Sequence, residues 1–251
     1  MNRIQSSTLT IALLAGLLVA TGLTAFVLLD PPRTWDSAAN YVVDQNGSAS
    51  VNASDGGVSA VVSAINSNQA WNGAGSGTVV NASAGNTNGF SLGDGTPMLR
   101  FDDPIHVCNG TCLAATFTGY YQSRGDGTWR IFDADIVTNN TYDFTTTSES
   151  DGCSSEFYLE GIQVHEVGHG LGLGHTNVSG ATMFPSVSSC NNGPATTESD
   201  DEAGLNALYS GGGGGGGGGG CTLGQKGDSC SANSDCCSNK CAGKRGSKTC
   251  K

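Results

Sequence analysis

Apolar positions change period along this chain, and the changes mark its elements. Residues 39–43 read as a first strand. Val58, Val61, Val62 and Ile65 then recur near helical spacing and predict a first helix over residues 58–70. Apolar runs at 77–82, 98–101, 113–121 and 129–138 predict strands, the last with irregular alternation. A second helix is expected over residues 157–171, with Leu159, Ile162 and Val167 on its apolar face. Thr196, Thr197, Glu198 and Ser199 offer capping residues for a last helix ending near Tyr209. One helix, a mixed sheet and then two helices is an α+β order.

The two ends of the chain follow different patterns. Residues 9–29 are almost wholly apolar, behind a short leader charged only at Arg3. Leu23, Thr24 and Ala25 form an imperfect cleavage site, so residues 1–25 read as a secretory signal peptide. The alternative is an uncleaved N-terminal anchor, since an apolar run of that length can span a bilayer. At the other end, residues 211–220 are ten consecutive glycines. Such a run packs no core and loses the most backbone entropy when ordered, so it is a linker. It separates a domain at 26–210 from a small module at 221–251, and the whole chain is expected to be monomeric.

Charge sharpens that division. The chain carries net −11. Residues 26–210 hold four arginines, no lysine and twenty acidic residues, a net of −16; residues 221–251 carry +4. An acidic main domain disfavours nucleic acid as a partner. The basic module is a candidate for targeting to a surface or substrate.

The chemistry concentrates between residues 165 and 175, where three of the four histidines fall. His165 and His169 are four apart, so on a helix they share one face. Both imidazoles can then reach one metal at about 2.0–2.1 Å. Gly172 ends the helix by accepting the backbone conformation of a sharp turn, which lets the chain double back to deliver His175. Three protein ligands leave a fourth zinc position open, the mark of a catalytic rather than a structural site. Glu166, beside the first ligand, is placed to take a proton from water that the metal activates.

This pattern resembles the metzincin zinc peptidases, and within them the matrixins. Ala181, Thr182, Met183, Phe184 and Pro185 resemble the family's Met-turn, with Met183 beneath the metal. Thr176 resembles the small hydroxyl residue that follows the third histidine. Residues 200–209 resemble the closing helix. Cys112 with Leu113, Ala114, Ala115, Thr116 and Phe117 resembles the substrate-edge strand. The resemblance spans residues 26–210. It implies a twisted, mixed sheet of roughly five strands plus three helices, a catalytic Zn2+, Glu166 as general base, and an extended protein or peptide substrate. The function expected is that of a secreted zinc endopeptidase. The alternative is a surface-binding or adhesion protein whose zinc domain is catalytically incidental. Calcium leaves no readable signature.

The departures are equally specific. Animal matrixins hold a second, structural zinc with three histidines and an aspartate. Ala115 stands where one of those histidines is expected and only His106 is left over, so no structural zinc is expected. No propeptide thiol switch is recognisable, and Pro185 excludes the tyrosine switch that astacins place there.

Ten cysteines in an exported chain read as disulfides. Cys108, Cys112, Cys153 and Cys190 allow three pairings, of which Cys108–Cys112 with Cys153–Cys190 is preferred; the second would brace the metal site from both sides. The 31 residues of the terminal module cannot bury enough core to fold without cross-links. Its cysteine order resembles the knottins, which implies Cys221–Cys237, Cys230–Cys241 and Cys236–Cys250. Sequons at Asn46, Asn52, Asn81, Asn109, Asn139 and Asn177 are acceptors wherever the host glycosylates.

Overall fold

Three helices and a mixed sheet frame the described chain. The structure, a computed structural model, describes residues 26–48, 56–74, 77–148, 152–209, 241–244 and 247–250. The expectations for residues 1–25, Asn52, the glycine run and Cys221, Cys230, Cys236 and Cys237 lie outside the described residues.

In chain order the elements are β1 (Val27–Leu28), β2 (Arg33–Thr34), β3 (Ala39–Asp44), α1 (Gly57–Asn66), β4 (Val80–Gly85), β5 (Met98–Leu99), β6 (Ala114–Gln122) and β7 (Trp129–Thr138). After them come β8 (Phe144–Thr145), β9 (Phe157–Tyr158), α2 (Leu159–Gly170), β10 (Leu173–Gly174), α3 (Ser199–Tyr209), β11 (Cys241–Lys244) and β12 (Ser247–Cys250).

β7 organises the main sheet. β6 takes one of its edges, antiparallel. β2 and β5 share the other edge, both parallel, β2 at Trp129 and Arg130 and β5 at Ile136. β3 and β4 continue outward in parallel. Six strands therefore fill five positions, and β6 alone runs against the rest. Tyr41 and Val43 of β3 and Ile136 of β7 pack with Val61 and Ile65 of α1 and with Leu159, Val164 and Val167 of α2 in one buried core.

Several boundaries differ from the sequence expectation. α1 stops at Asn66 rather than near residue 70. The Asn66 side chain donates to the Ala82 carbonyl and accepts from the Ala82 N–H, both at 2.8 Å, so it behaves as a partner for β4. Ala70 and Trp71 are buried all the same, just beyond the helix. β4 begins at Val80 rather than at Gly77. The Asn72 carboxamide oxygen accepts from the N–H groups of Val79 and Val80 and fixes the lead-in.

In the terminal module, β11 and β12 form an antiparallel pair with Cys241 opposite Cys250.

Candidate active site

α2 presents the site, and its two ends are held by side chains from distant segments. Near its start, the Gly161 N–H donates to Asn192 Oδ1 at 3.1 Å. At its finish, Trp35 Nε1 donates to the Gly170 carbonyl at 2.8 Å and the Tyr209 hydroxyl donates to the Leu171 carbonyl at 2.8 Å. These satisfy carbonyls that the end of a helix leaves without partners. Gln163 Nε2 donates to the Thr138 hydroxyl and ties the helix to β7 at 2.9 Å.

Gly172 turns the chain with φ +104°, and a Cβ there would meet the Arg33 carbonyl oxygen at 2.5 Å. Conformation and space both require glycine. β10 then pairs antiparallel with β1, which fixes the segment between the second and third histidines.

His165, His169 and His175 converge. Nε2 of His175 lies 3.3 Å from Nε2 of His165 and 3.1 Å from Nε2 of His169. Ligands at the zinc–nitrogen distance in a tetrahedron stand about 3.3 Å apart, so the spacing fits one zinc ion. Protonation fits as well. His165 Nδ1 donates to the Thr182 carbonyl at 2.6 Å, and His169 Nδ1 donates to the Leu173 carbonyl at 2.8 Å. Carbonyl oxygens only accept, so each Nδ1 carries a proton, and it is Nε2 whose lone pair the neutral ring offers to a metal. Burial depresses the pKa of His169 and His175 below the ordinary imidazole value, and the neighbouring histidines add to this. Neutral rings are the form that binds metal.

Glu166 is buried beside them and lines the cleft. The Thr116 hydroxyl lies 2.6 Å from its Oε2 and 2.9 Å from its carbonyl oxygen. Met183 packs under α2, where a Cβ on Gly168 would collide with its sulfur and lie 2.5 Å from Trp71 Cζ2. The Met-turn is anchored by Asp201 of α3. One carboxylate oxygen accepts from Thr182 N–H at 2.8 Å and from Glu198 N–H at 2.9 Å; the other accepts from Met183 N–H at 3.0 Å.

The cleft beside the histidines has a volume of about 640 Å³ and apolar walls from Leu113, Tyr142, Phe157, Ile162, Val187 and Pro194. Cys108 and Cys112 are disulfide-bonded, and their loop borders the cleft through Asn109, Thr111 and Cys112. The Tyr142 hydroxyl donates to the Gly110 carbonyl at 2.8 Å and steadies that border. Cys153 is bonded to Cys190, which ties the stretch before β9 to the segment after the Met-turn. Ala114 also lines the cleft, while Ala115 and Phe117 alternate onto the opposite face of β6. His106 is exposed, its N–H closing a turn on the Asp103 carbonyl, and among the described residues it belongs to no cluster that could hold a metal.

Thr116 lies on the expected edge strand, but its contact with Glu166 is not part of the sequence expectation. Neither is the anchoring of the Met-turn by Asp201. Strand alternation was the available signal for the first: Thr116 is in register with Ile136, on the face that meets α2.

Three histidines closing on one point, with a carboxylate beside them and an apolar cleft alongside, define the class of metal-dependent hydrolases. Comparison with known families is more specific, because residues 80–210, just over half of the chain, match Matrixin. The chain belongs to the matrixin family, whose members depend on zinc. It is 36% identical over 123 residues to Metalloendoproteinase 5-MMP of Arabidopsis thaliana, covering 47% of this chain and 29% of that protein. Against Matrilysin of Rattus norvegicus it is 31% identical over 121 residues, covering 48% and 38%. Matrix metalloproteinase-2 of Drosophila melanogaster is 35% identical over 117 residues, covering 47% and 13%. The match therefore spans less than two-fifths of each of these relatives.

Proposed function

We propose that this chain is an exported zinc endopeptidase acting on extended protein or peptide substrates. The observation that carries the reading is the convergence of three imidazoles with Glu166 at one end of an apolar cleft. Zinc held by His165, His169 and His175 would supply Lewis-acid polarisation of a water and of the substrate carbonyl. Glu166 accepts the proton of that water as its oxygen attacks the carbonyl carbon. It then delivers the proton to the amine nitrogen as the carbon–nitrogen bond breaks.

Among the described residues β6 pairs only with β7, so its other edge is open to an added strand. A substrate lying along Leu113, Ala114, Ala115, Thr116 and Phe117 brings its scissile bond to Glu166 and one side chain to the apolar cleft. The opposite charges of residues 26–210 and 221–251 favour a separate role for the basic module. It would hold a monomeric enzyme on an anionic surface or particulate substrate, as a disulfide-linked unit of the knottin kind. Residues 1–25 serve as the export signal in this reading.

The test is cleavage of a peptide library by purified zinc-loaded protein. Cleavage with large apolar residues beside the scissile bond, abolished by a chelator and restored by zinc, is expected. A zinc-loaded protein that cuts nothing would leave the surface-binding reading in its place.

A further inference from the structure

We infer that Thr116 is a positioning residue for Glu166, assigning one carboxylate oxygen to structure and leaving the other for proton transfer. This deepens the peptidase reading and rests on it.

The geometry constrains the hydroxyl closely. Thr116 sits on β6, and Oγ1 meets two atoms of Glu166, the Oε2 at 2.6 Å and the carbonyl oxygen at 2.9 Å. Both are acceptors, so Thr116 can only donate to them, and it has one proton to give. The shorter contact has the length of a charge-assisted hydrogen bond to a carboxylate. One lone pair of Oε2 is thereby taken by the protein itself. Oε1 carries no such bond among the described residues, and in this inference it is the oxygen that takes the proton from water.

The bond also joins two elements that otherwise meet through packing alone at this point. β6 is the strand on which the substrate would lie, and α2 carries both the first two histidines and the base. The residue that orients the base is thus part of the strand that orients the substrate. Glu166 is a long side chain with several rotamers, and the bond selects one of them. Misplacing a reacting group by about 1 Å costs on the order of a hundredfold in rate. A hydroxyl that removes this freedom should therefore act on kcat.

The test compares Thr116→Val, which keeps the shape and loses the hydroxyl, with Thr116→Ser, which keeps the hydroxyl. For Thr116→Val, kcat on a quenched fluorescent peptide should fall about ten- to a hundredfold. KM should stay within about twofold, and zinc affinity by competition with a chelator should not change. Thr116→Ser should recover kcat to within about threefold of the parent. Thr116→Ala repeats the measurement should valine disturb folding, with thermal melts checking each variant. A Thr116→Val enzyme with unchanged kcat would overturn the inference, and so would a rise in KM alone, because that assigns Thr116 to substrate binding. Failure of serine to rescue would assign it to packing. An unmodified protein that cleaves nothing would instead overturn the peptidase reading, and this inference with it.

Discussion

Asp201 shows how much of a metal site lies outside its ligands. Its carboxylate accepts three backbone N–H groups, and two of them belong to the Met-turn. The carbonyl of Thr182 in that turn fixes the ring of His165. Removing the carboxylate leaves buried donors without partners. Asp201→Ala should therefore cost a few kcal/mol of stability by chemical denaturation, and reduce zinc affinity about tenfold or more. Glu166→Ala separates the other function, since the proposed mechanism uses Glu166 as a base and not as a ligand. That variant should retain one zinc by metal analysis while kcat falls by several orders of magnitude. Activity within about tenfold of the parent would remove Glu166 from the proposed role.

At the scale of elements, α2 is packed so closely that its glycines are structural. Gly168→Ala would drive a methyl group into Met183 and Trp71. The expected cost is about 1–3 kcal/mol, seen as a fall of several degrees in Tm with the same zinc stoichiometry. β7 carries a different tension. Asp133 and Asp135 are both buried on the face away from α2. Burial, and then the nearby Asp133 charge, raises the Asp135 pKa from 3.8 to about 7. The folded chain keeps this proton across a range where the unfolded chain has released it. Stability should therefore fall as pH rises from about 4 to about 7. Asp135→Asn should flatten that slope and give a higher Tm than the parent at pH 8, with little difference at pH 4. A parallel pH profile for the two proteins would contradict this.

The histidine triad was legible in the sequence because its geometry is local: one helix, one glycine turn and eleven consecutive residues contain it. Helix α2 and strands β6 and β7 were legible because each is long enough to show its pattern. β1, β2, β8, β9 and β10 were not, since two residues show no period; β5, equally short, is legible only because it lies in the apolar run at 98–101. Thr116 and Asp201 reach the site from distant segments, and only the folded chain brings them there.

At the scale of the molecule, one histidine cluster is complete among the described residues; the other candidate group contains Cys153 and Cys190, whose sulfurs are bonded to each other. One tightly held zinc per chain is the expected result of metal analysis, and two would contradict it. The basic module is expected to be dispensable for chemistry. Protein ending at Ser210 should cleave soluble peptide at the parent rate. It should lose retention on anionic surfaces, with the largest difference at low salt, where screening is weakest. Faster cleavage by the shortened protein would instead make the module an inhibitor.

The pairing of β1 with β10 has a consequence for biosynthesis. Val27 and Leu28 leave the ribosome early, yet their partners Leu173 and Gly174 are made only after the first two histidines. The clasp on the third-ligand turn cannot close until most of the domain has been translated, and Asp201 arrives later still. The three imidazoles therefore reach their final geometry late in the life of the chain. A nascent chain stalled before α3 can carry all three histidines and still lack the cage that holds them.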